Sequence, residues 1–129
     1  MPQVSPSAGT TASLFAAPSP FECSWKLDAL GSAWVHVGGE LDLSTVQAFR
    51  ETLQEAQLGG GTVSIDLQGL EFIDCAALRA IVAADALARR QGHRLILVRG
   101  SGQVDRVLAL TGLLEVIEVV DPRLAPASS

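Results

Sequence analysis

The chain predicts an α/β domain, a mixed and mostly parallel sheet of about five strands in the order β-β-α-β-α-β-α-β, with helices packed on it. Three observations predict this class. From Thr62 to Leu67 polar and apolar residues alternate; from Leu78 the apolar period lengthens to about 3.6, so a strand hands over to a helix near Asp74. The same succession of strand and helix patterns occurs once before that point and once after it. Only the first two strands are joined by a connection too short for a crossover, around Gly31, so they pair antiparallel while the later strands run parallel.

The elements follow in order. Residues 1–20 are dominated by Ser, Ala, Thr and Pro without periodicity, the composition of a flexible tail. Phe21, Cys23, Trp25 and Leu27 alternate with Glu22, Ser24, Lys26 and Asp28, as in a strand covered on one face. Ala33 to Gly38 makes the second strand, and Glu40-Leu41-Asp42 leads out of it. Ser44-Thr45-Val46-Gln47 fits a capping box, with the Ser44 hydroxyl capping the amide of Gln47. The helix it opens carries Val46, Phe49, Leu53 and Ala56 on one face and ends at Gly59-Gly60-Gly61.

After the strand through Leu67, closed by Phe72-Ile73, Asp74 is the expected N-cap of the second helix. Its carboxylate would accept from the amides of Ala76 and Ala77 with one oxygen and leave the other exposed, with Cys75 aimed at the surface. That helix carries Leu78, Ile81, Val82, Leu87 and Ala88 on its stripe and stops at Gly92. Leu95 to Val98 is a continuous apolar strand. Ser101 caps a short helix ending around Gly112, and Val116 to Val120 is the last strand. The domain is thus expected over 21–121, with 122–129 frayed.

Composition excludes several functions. The 129 residues are 48% hydrophobic, enough for one domain with an adequate core. A net charge of −5, with Arg89-Arg90 the one adjacent basic pair, argues against direct nucleic-acid binding. Cys23 and Cys75 lack metal-ligand spacing, so neither a metal site nor a disulfide is expected, and reduced thiols suit a cytoplasmic protein. No apolar run nears the roughly 20 residues that cross a bilayer, and no basic-then-apolar leader opens the chain.

Asp66 and Asp74 resemble paired carboxylates but are expected at opposite ends of a loop with no His beside them, so no catalysis and no cofactor is expected. His36 is expected on the outer face of its strand, His93 in a turn, and Trp25 and Trp34 as core or edge cover. Ligand and partner sites of parallel sheets lie outside the carboxyl ends of the strands. Here that places Glu40 to Ser44 beside Phe72 to Ala77 if their strands are neighbours.

Gly39-Glu40-Leu41-Asp42 before the first helix, and Ile65-Asp66-Leu67 with Phe72-Ile73-Asp74 before the second, resemble the signature of STAS domains of the anti-sigma factor antagonist type. The resemblance spans about Phe21 to Asp121. It implies a non-enzymatic regulatory module that binds an anti-sigma factor, an ATPase-fold serine kinase, and frees a sigma factor by partner switching. The binding and regulatory residues it implies are Asp42, Ser44, Asp74, Cys75, Ala76 and Arg79.

In that family the residue after the signature Asp is a phosphorylated Ser or Thr. The run here is Asp74-Cys75-Ala76-Ala77, so no phosphorylation is expected at the family position. Regulation by Cys75 oxidation stands beside the plainer reading of Cys75 as a small, partly buried hydrophobe. The alternative function is that of a small STAS subunit of a membrane ABC-type transporter assembly. Nucleotide binding at the strand ends finds no phosphate-cradling sequence. The uncovered first strand leaves a homodimer through that edge open.

Overall fold

The computed structural model describes residues 20–59 and 61–122, so the expectations for residues 1–19 and 123–129 lie outside the described residues. The elements are β1 (Glu22–Leu27), β2 (Ala33–Leu41), α1 (Val46–Leu58), β3 (Thr62–Ile73), α2 (Cys75–Arg90), β4 (Arg94–Val98), α3 (Gly102–Leu110), a 3-10 turn (Leu113–Glu115) and β5 (Glu118–Val120). The sheet order is β1-β2-β3-β4-β5. Among the described residues only the β1–β2 pair is antiparallel, as the short Gly31 connection requires. The fold is the single α/β domain the periodicities predict.

Right-handed crossovers between strands in sequential order put every crossover helix on the same face. The core forms there: Ala33, Val35 and Val37 of β2, Val63, Ile65 and Leu67 of β3, and Leu95 and Leu97 of β4 meet helix residues such as Phe49, Leu53, Ile81, Val104 and Leu108. Each large side chain so buried contributes about 1.5–3 kcal/mol. The four apolar residues expected to anchor the first helix, Val46, Phe49, Leu53 and Ala56, are its buried residues.

Other expectations shift. β2 runs three residues beyond Gly38 to Leu41, and β3 is continuous from Thr62 to Ile73, because the two strands keep pairing up to Leu41 with Ile73 despite two register shifts. β5 is shorter than expected, since Leu113–Glu115 forms a 3-10 turn and Val116 is exposed. On α2, Val82 is 42% exposed, and the buried stripe is made mostly of alanines, Ala77, Ala80, Ala84 and Ala88, with Leu78 and Ile81. Asp85 on the same stripe is buried too, and Arg89 Nε donates to it at 2.8 Å while Arg89 Nη2 donates to the Val116 carbonyl at 2.7 Å.

Two glycines set the end of the sheet where the strand-to-helix turns lie. Gly39 has φ +85°, and a Cβ there would stand 2.7 Å from the Pro20 carbonyl oxygen. A Cβ at Gly100 would stand 2.4 Å from the Leu67 carbonyl oxygen, so only glycine lets the turn into α3 rest on β3.

Candidate partner-binding site

Because β2 and β3 are parallel neighbours with Leu41 opposite Ile73, the turns after them emerge side by side. The Asp74 amide donates to the Leu41 carbonyl at 3.1 Å, extending the ladder to the first residue of the second turn. Asp74 is the N-cap of α2, as expected: Oδ1 accepts from the amides of Ala76 at 3.0 Å and Ala77 at 3.2 Å. The other oxygen is not left to solvent. Asp74 Oδ2 accepts from the Leu43 amide at 3.1 Å, so one carboxylate fastens the two turns together.

The first turn is held from within. Asp42 Oδ1 accepts from the Ser44 amide at 3.0 Å and from Ser44 Oγ at 2.7 Å. These bonds, the Ser44 hydroxyl above all, hold the Asp42 carboxyl below its ordinary value, partly opposed by desolvation. The capping box is not formed. Thr45, not Ser44, precedes α1, and it makes no side-chain cap; its Oγ1 accepts from the Asp42 amide and donates to the Glu40 carbonyl, each at 2.9 Å. The Gln47 side chain donates to Glu51 at 3.2 Å and does not reach back. Asp42 carries out the local ordering that the box was expected to supply, because its carboxylate is two residues ahead of Ser44 and closes an Asx turn.

Around these turns the surface is apolar and exposed. Leu43 is 78% exposed and Phe72 39% exposed, and Cys75 is exposed, so it is not the partly buried hydrophobe of the plainer reading. A groove of about 440 Å³ runs from Cys75 along α2 past Leu78, Arg79, Val82 and Ala83 to Thr111 and Leu113. The structure thus brings Asp42, Ser44, Asp74, Cys75, Ala76 and Arg79 to one end of the sheet. Val82 lines that groove, and Leu43 and Phe72 are exposed at the two turns; all three escape sequence reasoning, since each apolar residue reads as core until its face is known.

Asp66 does not lie across a loop from Asp74. It is within β3, and His36 Nδ1 stands 3.3 Å from its Oδ2 on the face away from the helices, so the expectation that it has no His beside it is corrected. Among the described residues no cluster of three His, Cys, Asp or Glu side chains is placed to hold a metal, and no helix is long and apolar enough to cross a membrane. Trp34 is buried with its indole N–H on Asp28, and the half-buried Trp25 donates to Glu55, as core and edge cover.

Residues 27–127 match the family model of the STAS domain. The chain belongs to the STAS domain family. An anti-sigma-B factor antagonist of Listeria monocytogenes is 31% identical over 86 residues, covering 66% of this chain and 75% of the relative. The fold matches the crystal structure of an anti-sigma factor antagonist from Mycobacterium paratuberculosis with a TM-score of 0.72 at 23% identity, over 81% of this chain and 88% of that one. It also matches the Bacillus cell fate determinant SpoIIAA in its phosphorylated form, with a TM-score of 0.62 at 20% identity over 78% and 90% of the two chains. Within this STAS domain the paired turns join residues 31 apart in sequence through the Asp74 carboxylate.

Proposed function

We propose that this STAS domain is a cytoplasmic, non-enzymatic anti-sigma factor antagonist that binds an ATPase-fold anti-sigma kinase and releases a sigma factor by partner switching. The observation that carries the reading is the Asp74 carboxylate tying the two turns into one rigid surface, with exposed Leu43, Phe72, Cys75, Arg79 and Val82 around it. A fixed apolar patch with a polar rim is suited to a protein partner. The relatives' name, anti-sigma-B factor antagonist, points to an anti-sigma factor as the kind of partner, and its ATPase fold and kinase activity are part of the proposal.

Cys75 holds the position that follows the signature Asp, and a thiol does not take up phosphate from a serine kinase as a hydroxyl does. The antagonist is therefore held in its binding state, because no phosphate of nearly two negative charges arrives beside Asp74 and Asp42 to repel the partner. Asp74 itself is unsuited to a binding test, since its replacement loosens both turns.

The test uses exposed positions instead. The purified chain is titrated by calorimetry with the ATPase-fold anti-sigma factors of its host, beside Arg79→Glu and Val82→Asp. Binding by the wild type that falls at least about tenfold in both variants supports the reading. Binding that neither variant changes, or affinity capture that returns permease or ABC-type ATPase subunits in place of a kinase, overturns it. Cys75→Ser supplies the regulatory arm: the cognate kinase and ATP should phosphorylate this variant and not the wild type.

A further inference from the structure

β1 ends the sheet, and among the described residues no strand pairs with its outer edge. An uncovered edge offers a row of backbone donors and acceptors to another strand. Its side chains divide cleanly: Cys23 and Trp25 pack toward the helices, whereas Glu22, Ser24 and Lys26 are exposed on the other face. Glu22 and Lys26 lie symmetrically about Ser24.

We propose that two copies of the chain join edge to edge through β1, antiparallel, with Ser24 on the two-fold axis. This register places Glu22 of each copy opposite Lys26 of the other, forming two cross-strand ion pairs on one face. Neighbouring registers do not. A slip of one residue sets Glu22 against Trp25, which points to the other face and forces the second sheet upside down. A slip of two sets Glu22 against Ser24, or Ser24 against Lys26, and breaks the charge match. A lysine on an edge strand ordinarily discourages pairing, but in this register each one is answered by a carboxylate.

The helix layer fits the same arrangement. α1 packs over β1 and β2, with Glu55 accepting from the Trp25 indole at 3.2 Å. Strands about 4.8 Å apart then set the two copies of α1 side by side on the same face, their axes on the order of 10 Å apart, the spacing of packed helices. The five-stranded sheet becomes one continuous sheet across both copies. The turns after β2 and β3 are left uncovered, so the dimer is independent of the partner-binding reading.

Charge exchange tests this on the full chain by sedimentation velocity over a concentration series. The wild type should sediment as a dimer. Glu22→Lys alone faces lysine with lysine, and Lys26→Glu alone faces glutamate with glutamate, so each should weaken the dimer on the order of tenfold or more. An equimolar mixture of the two should form a one-to-one heterodimer, and the double exchange within one chain should dimerise again; recovery in the mixture also shows that the single variants are folded. A monomeric wild type, single variants that dimerise as well as the wild type, or a double exchange that stays monomeric overturns the proposal.

Discussion

Asp74 Oδ2 accepts the backbone N–H of Leu43 across 31 residues of sequence, while Oδ1 of the same carboxylate caps α2. A single side chain therefore fixes the relative position of two turns that belong to different crossovers. Asp74→Ala removes an N-cap, worth about 1 kcal/mol, and leaves the Leu43 amide without its acceptor, worth about 1–2 kcal/mol more. The variant should unfold about 2–3 kcal/mol more easily in urea at an unchanged m value. Asp74→Asn should recover only the cap, because an amide offers one oxygen and one donor to three N–H groups. A loss below about 0.5 kcal/mol for Asp74→Ala would show that the bridge carries no weight.

Most of this fold is legible in the periodicity of the sequence. The change of period at Asp74 places α2, the Val46-Phe49-Leu53-Ala56 stripe places α1, and the short connection at Gly31 isolates the antiparallel pair. The misses have a common cause in partners that are distant in sequence. The Leu43–Asp74 bond depends on β2 lying beside β3, and the His36–Asp66 pair depends on their register. Local competition explains the others. Asp42 takes the Ser44 hydroxyl that the capping box would use, and small alanines let α2 lie close to its neighbours, turning Val82 outward. Apart from the His36–Asp66 pair on the open face of the sheet, these features belong to the candidate surface, so the scaffold was legible and its outer face was not.

Gly100→Ala should be costly although the residue lies outside every helix and strand. The added methyl would meet the Leu67 carbonyl oxygen at 2.4 Å and the Leu67 Cβ at 3.2 Å, and neither belongs to a flexible side-chain tip. The turn into α3 must lift off β3, which costs about 1–3 kcal/mol. Gly102→Ala, where a Cβ meets nothing within 4 Å, is the matched control and should be near neutral. Equal thermal midpoints for the two variants would refute the close approach.

Acid should weaken the fold in a defined order. The carboxyls of Asp28, Asp42 and Glu118 are all held below their ordinary values, by the Ser32 amide and Trp34 indole, by Ser44, and by Arg94 respectively. A carboxyl depressed in the folded state contributes stability that is fully present above its unfolded value, near pH 4, and lost as pH falls through the folded one. Stability measured by urea titration should therefore be flat with respect to these groups from pH 7 to about 5 and decline below about 4. Glu118 is exposed and Asp28 and Asp42 are half-buried, hence the decline is shallow and salt flattens the Arg94–Glu118 part. Asp28→Asn should reduce the slope, since it removes a carboxylate that accepts from the Leu30 and Ser32 amides and from Trp34. An unchanged slope in that variant would exclude Asp28 from the acid response.

The two thiols should separate kinetically. Cys75 is exposed at the head of the groove beside Leu78 and Arg79. Cys23 is half-buried on β1, and burial raises its pKa, an effect that its bond with Thr52 only partly offsets. Since the thiolate is the reactive form, an aromatic disulfide reagent near pH 8 should titrate one thiol quickly and the other slowly. Cys75→Ala should delete the fast phase and Cys23→Ala the slow one. Blocking Cys75 with a bulky maleimide before calorimetry should then weaken kinase binding at least as much as Arg79→Glu, because the adduct fills the groove that the partner needs. Labelled chain that binds the kinase undiminished would remove the groove from the interface and leave only the turn residues Leu43 and Phe72 as its apolar contacts.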